Sequence, residues 1–247
     1  MKIRNIVITF WFNKINTREI VDNISTRLAS FFSGINFQGL PANIDNIVPR
    51  ISAVSNSGHT NMNISNINAQ ININFDSHFE KDYDKCFEYT RERLINIYDA
   101  LIDNKVEILY SAIFVNVEKN EIEPIEQMKK IFNQEIQSKD YGELGIHISN
   151  VIEGKFYRNI NMNNAKQISI TKEINQNQKE IIFPLISLYG ANIVENSISL
   201  TYEINDKYSF DSKEKYKTEK KILEDMFKIS RDDIENNIEN FVETGSI

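Results

Sequence analysis

The stretch NMNISNINAQININFDSHFEKDYDKCFEYTRERLINIYDAL, Asn61 to Leu101, changes period in its middle. Apolar Ile67, Ala69, Ile71, Ile73 and Phe75 alternate with Asn68, Gln70, Asn72 and Asn74. Successive strand side chains leave opposite faces, so this is a strand with one apolar and one amide face. Beyond Ser77 the spacing becomes helical. Phe79, Tyr83, Phe87, Leu94, Tyr98 and Leu101 form one stripe, with Thr90 among them, and Glu80, Lys81, Asp84, Lys85, Glu88 and Glu92 lie mostly off it. A half-buried strand therefore leads at once into a long amphipathic helix.

Asp76, His78, Asp82 and Asp84 crowd the join. A metal centre needs several ligands converging on one point. Asp82 and Asp84, two apart on a helix, diverge by about 200°, and the sequence offers no clear third ligand. Asp76 or Ser77 as a cap on free helix amides, with Glu80 favoured in the first turn, accounts for the same residues. The join reads as a corner of the scaffold, with neither metal nor cofactor.

Working outward, RISAVS is a short strand and NSGH a turn. IVITFWF, Ile6 to Phe12, and KVEILYSAIFVNVE, Lys105 to Glu118, are strands apolar on both faces. Between the first of these and RISAVS, Asn16 with Glu19 looks like a capping box. Ile20, Ile24, Leu28, Phe31 and Phe32 continue as a helix that Gly34 would stop, and a loop follows. The order over residues 1–118 is β-α-β-β-α-β, a ferredoxin-like split β-α-β unit. Its outer strands are apolar on both faces, so the rest of the chain is expected to cover part of the second face.

Residues 119–247 read as a second antiparallel α+β unit packed on the first. Pro124 suits the first turn of a helix whose buried side is Ile125, Met128, Ile131 and Phe132. Strand-like pieces follow: LGIHIS, GKFYRNI, KQISITKEI, KEIIFPLISLY and NSISLTYEI. Asp211 with Glu214 and Ser230 with Asp233 suggest starts for two final helices. The layout of PRISAVSNSG, an alternating strand, a Tyr-rich helix and another strand resembles a group of two-part bacterial proteins of similar length whose halves also read as α+β. That resemblance implies no site residues.

The 247 residues carry a net charge of -7, which disfavours general duplex DNA binding. The Asn68, Gln70, Asn72 and Asn74 face holds no aromatic for base stacking. One cysteine, Cys86, rules out an intrachain disulfide and points to the cytoplasm. No stretch is long enough to cross a membrane. There is no phosphate-cradling glycine loop, no HExxH and no GxSxG. His59 reads as a surface turn residue and His147 as pointing away from Ile146 and Ile148.

The leading expectation is a soluble, non-enzymatic binding or protein–protein interaction protein, of the accessory, immunity or antitoxin kind. Its contact surface is Asn68, Gln70, Asn72 and Asn74 with Asp76 and His78, and its partner is a protein, a second copy included. Two alternatives stand beside it. One is a hydrolase or nuclease built from dispersed residues such as Asp76, His78 and Glu203. The other is a self-assembling structural protein.

Overall fold

The computed structural model describes residues 1–41, 43–131, 144–169 and 192–245. In chain order the elements are β1 (Lys2–Phe12), α1 (Thr17–Arg27), β2 (Phe32–Phe37), β3 (Ile51–Ser55), β4 (Thr60–Ile64), β5 (Asn68–Asn74), α2 (Tyr83–Asp103) and β6 (Ile108–Asn120). They continue as α3 (Pro124–Ile131), β7 (Gly145–Ile152), β8 (Phe156–Ser169), β9 (Asn192–Asn205), α4 (Lys207–Ser212), α5 (Lys220–Asn236) and α6 (Ile238–Thr244). Among the described residues the fold is thus α+β, with six helices and one nine-stranded antiparallel sheet ordered β2-β3-β4-β5-β1-β6-β9-β8-β7.

The alternating run becomes β5, and its register fixes which face is buried. Ile6, Ile8 and Phe10 of β1 stand opposite Ile73, Ile71 and Ala69, and opposite Val115, Ile113 and Ser111 of β6. Further out, Ile204, Tyr202 and Leu200 of β9 meet Ile113, Val115 and Val117. All these apolar side chains are fully or almost fully buried. Helices α2 and α5 lie on this face. Phe87 and Leu94 of α2, with Leu223, Met226 and Phe227 of α5, complete the core. Burying a side chain of this size stabilises by roughly 1.5–3 kcal/mol.

The sheet reads outward from its centre in two matching directions. β1 and β6 pair antiparallel in the middle. Each is followed by a helix, α1 or α3. Each takes as its outer neighbour the last strand of a meander, β5 or β9, and that strand leads on to the longest helix of its half, α2 or α5. The two long helices meet across the centre. Phe87 and Phe227 are edge to face at 5.5 Å. The Tyr98 hydroxyl donates to the Thr218 carbonyl at 3.1 Å, and Lys220 pairs with Asp99 at 2.8 Å.

Several expectations are corrected. The ferredoxin-like layout needs four strands in the first half, and six are present. The extra ones are β2, in what reads as a loop, and β4, which Ser65 separates from β5 by a tight turn bonded to Asn68. α1 stops at Arg27, well before Gly34. The described residues of the second half do not form a layer over the second face of the first. They extend the same sheet edge to edge through β6–β9, and α4, at one end of that face, packs Phe210 against Tyr110 in a tilted contact and Tyr208 edge to face with Tyr157. Asp211 pairs with Lys207 inside α4 and starts no helix. Ser230 and Asp233 lie within α5. The strand-like KEIIFPLISLY and the end of KQISITKEI lie outside the described residues, as does Phe132.

Candidate functional site

The strand pattern that buries one face leaves the other carrying amides and hydroxyls. Register places them in rows. Asn74, Asn5, Asn116, Thr201, Asn161 and His147 form one row across six strands. A neighbouring row runs Asn61, Asn72, Val7, Phe114, Glu203, Asn159 and Ser149. A third holds Asn36, Ser52, Asn63, Gln70 and Thr9.

Much of this carpet is tied to itself. Asn116 donates to Asn5, and Thr201 donates to Asn116 at 2.6 Å. Asn159 and Asn205 each donate an amide N–H to Glu203, at 3.0 and 2.7 Å. Ser149 donates to Asn159 at 2.6 Å, and His147 bonds Asn161. Such ladders preorganise side chains that would otherwise lose rotamer freedom on binding. Asn72 Oδ1 is buried without a hydrogen-bond partner among the described residues, an acceptor left over in the middle of the face. Val7 and Phe114 sit half-buried at the centre, and Trp11 stacks on Tyr110 at 4.6 Å toward one end. Glu203 sets one carboxylate beside this centre, and more charge lies at the opposite end, where Arg4 bonds Glu80 and Glu118. Burial pushes the Glu118 carboxyl up, but hydrogen bonds from Ser197 and Arg4 outweigh it and leave it below the usual range.

The sequence-derived residues divide between this face and the join. Gln70 and Asn74 are exposed on the face and Asn72 is half-buried there. Asn68 is engaged by Ser65, whose hydroxyl donates to its side chain at 2.6 Å. At the join, α2 starts later than the hydrophobic stripe suggests. Its cap is Asp82, which accepts from the Lys85 amide at 3.1 Å, and not Asp76 or Ser77. Asp76 instead closes a local turn by accepting from the His78 amide at 2.9 Å. Glu80 lies outside the helix, and its carbonyl accepts from the Ile3 amide at 2.8 Å. His78 is exposed.

His59, read as a surface residue, is half-buried beside Phe79 and Tyr89, with Nε2 3.8 Å from Asp76. Tyr89 bonds Ser57 at 2.9 Å and Thr60 at 3.3 Å, under an Arg93 guanidinium 3.2 Å from its ring centre. Burial raises its pKa, and those hydrogen bonds with Arg93 more than reverse the effect, for a net lowering. Cys86 is buried, its thiol pushed up to about 12 by burial and the charges of Asp82 and Glu80. That is the opposite of an activated nucleophile.

Asp76 and His78 do not converge with Glu203. β5 and β9 are separated by β1 and β6, three strand steps or about 14 Å. Among the described residues no three His, Cys, Asp or Glu side chains come together to hold a metal ion, and no helix is long and apolar enough to cross a membrane. Sequence reasoning found the β5 part of the amide face. It missed Asn5, Asn116, Asn159, Asn161 and Asn163, whose shared orientation is visible only once the strand pairing is known. The chain matches no protein-family model and no curated protein.

Proposed function

We propose that this is a non-enzymatic binding protein whose contact surface for a protein partner is the amide-covered face of the sheet. One observation supports the reading above the rest. The face has a small apolar centre, Val7 and Phe114, set in a wide field of amides and hydroxyls, with one carboxylate beside it, Glu203, held by Asn159 and Asn205. Depletion of charge around an apolar centre is the pattern of protein–protein contact surfaces. On the same reading residues 1–118 are a ferredoxin-like split unit widened by two strands, joined to a second unit, 119–247, and the setting is the cytoplasm.

The test uses a photo-crosslinking residue at Phe114, at Asn161, or at Glu88 on the outer side of α2. Discrete adducts with one protein, the second copy included, are expected from the first two positions and not from the third. A Val7→Arg change should abolish them while leaving the melting temperature of the chain unchanged. Adducts equal from all three positions, or insensitive to Val7→Arg, would refute the reading.

A further inference from the structure

A different feature points to a ligand. Arg50 follows Pro49 and is only 5% exposed, yet it pairs with no carboxylate among the described residues. Among the described residues one of its five N–H donors has a partner, Nη2 to the Ile44 carbonyl at 3.2 Å, and buried Nε has none. A buried guanidinium left in this state is destabilising. Arg50 lines a cavity of about 240 Å³. The same cavity is lined by Thr17 and Arg18, the first residues of α1, and by Asn66, Gln38 and Gly39. Arg18, like Arg50, forms no ion pair among the described residues. The nearest acids in sequence are turned to local work: Glu19 accepts from Asn16, and Asp45 accepts from the Ile47 amide.

We infer that this cavity is an oxyanion site, anchored by Arg50 and closed by Arg18 at the positive end of α1, for a small ligand carrying a phosphate dianion. The charge argument favours the dianion. Buried Arg50, exposed Arg18 and the helix end, equivalent to roughly half a positive charge, together exceed the one carboxylate of Glu19 in the same first turn, and leave more than one positive charge for the ligand. The donor geometry of a guanidinium suits an oxyanion that offers two oxygens. The volume is larger than a phosphate alone fills, so a small molecule carrying the phosphate also fits. The site is on the edge of the first half and makes no use of the amide face.

The experiment follows thermal unfolding of the full chain with inorganic phosphate, and with acetate at equal ionic strength as the monoanion. Phosphate should raise the melting temperature saturably, as a ligand of the folded state does, and acetate should not. Arg50→Met should abolish the phosphate response and at the same time raise the melting temperature of the unliganded protein, because it removes an unpaired buried charge. Gly39→Leu gives a second variant. A Cβ at Gly39 meets nothing closer than Phe37 at 3.9 Å, so a larger side chain is accommodated at the cavity wall without backbone strain, and by crowding the cavity it too should abolish the response. The inference is overturned if phosphate and acetate act alike, if neither acts, or if the response survives in both variants. It is also overturned if Arg50→Met destabilises the unliganded chain.

Discussion

The two strand-to-helix joins occupy matching places in the sheet and dispose of an aspartate in opposite ways. After β5 the chain reaches Asp76, and after β9 it reaches Asp206. Each connection then bonds to the start of the central strand of its own half. Phe75 donates to Arg4 and Ile3 to Glu80, whereas Asp206 donates to Ser111 and Thr218 to Ile108. Asp76 is exposed, with one local amide and His59 nearby. Asp206 is completely buried and accepts from the Ser111 amide at 2.6 Å, the Thr218 hydroxyl at 2.6 Å and the Tyr216 hydroxyl at 2.9 Å. The second connection is longer and returns Tyr216 and Thr218 over the acid. The difference teaches that an acidic residue at a strand end carries no fixed meaning; what decides is whether the following chain brings donors back to it.

The contact that joins the halves gives the largest expected effect. Phe87 is fully buried and Phe227 is 5% exposed, and they touch. Phe87→Ala and Phe227→Ala should each cost about 3–5 kcal/mol in chemical denaturation. Because the rings share one contact, the double variant should lose less than the sum. Additive losses would mean that the two rings contribute independently, and that the halves are held by the sheet and by the polar contacts of Tyr98 and Lys220.

The joins come next. Asp206→Ala strands two buried donors and the half-buried Tyr216 hydroxyl, and should cost about 2–3 kcal/mol, at about 1 kcal/mol for each. Asp76→Ala should stay within about 0.5 kcal/mol. Titration sharpens the contrast. Burial holds the Asp206 carboxyl above its ordinary 3.8, although the hydrogen bonds from Thr218, Ser111 and Tyr216 pull the other way. The folded chain therefore binds that proton more tightly than the unfolded chain. Its contribution is fully present below pH 3.8 and is lost as the pH rises through the raised value. Unfolding measured against pH should show this fall in wild type and not in Asp206→Asn. A fall of equal size in both proteins would assign it elsewhere.

What the sequence disclosed follows from how cleanly each segment repeats. β5 and α2 were legible because every second or every third-to-fourth residue obeys the period. β2, FSGINF, was not, since it is an edge strand with only Phe32 buried and a glycine inside it. β4, TNMNI, hid because its alternation runs on toward that of β5, and only the turn bonded to Ser65 separates them. The apolar residues on both sides of β1 and β6 suggested a covering layer. In the fold Val7 and Phe114 sit at the centre of the face between Asn72 and Glu203. Arg50 gave a misleading signal. It opens RISAVS, whose alternation sets it on the side opposite Ile51 and Ala53, and its burial comes instead from the strand bonds on either side, Arg50 to Ile64 and Gln38 to Arg50.

The smallest expected effect concerns where α2 begins. The stripe starting at Phe79 suggests a helix from the late seventies, capped by Asp76 or Ser77. Phe79 serves another purpose: it packs with Phe75, His59 and Tyr89 in an aromatic cluster ahead of the helix. The chain needs the intervening turn to place Glu80 against Ile3 and Arg4, so the first free helix amides appear only after Asp82. Asp82 bonds the Lys85 amide and pairs with the Lys85 ammonium at 2.7 Å, which holds its carboxyl below the usual range. Its stabilising contribution is therefore present at neutral pH and is lost as the pH falls through that lowered value. Asp82→Ala should lower the melting temperature at pH 7, and the gap to wild type should close in acid. Asp76→Ala with Ser77→Ala should leave the melting temperature within error at both pH values. If the double change at 76 and 77 proves the more damaging, the helix is nucleated from the earlier turn, and the two joins are more alike than their hydrogen bonds show.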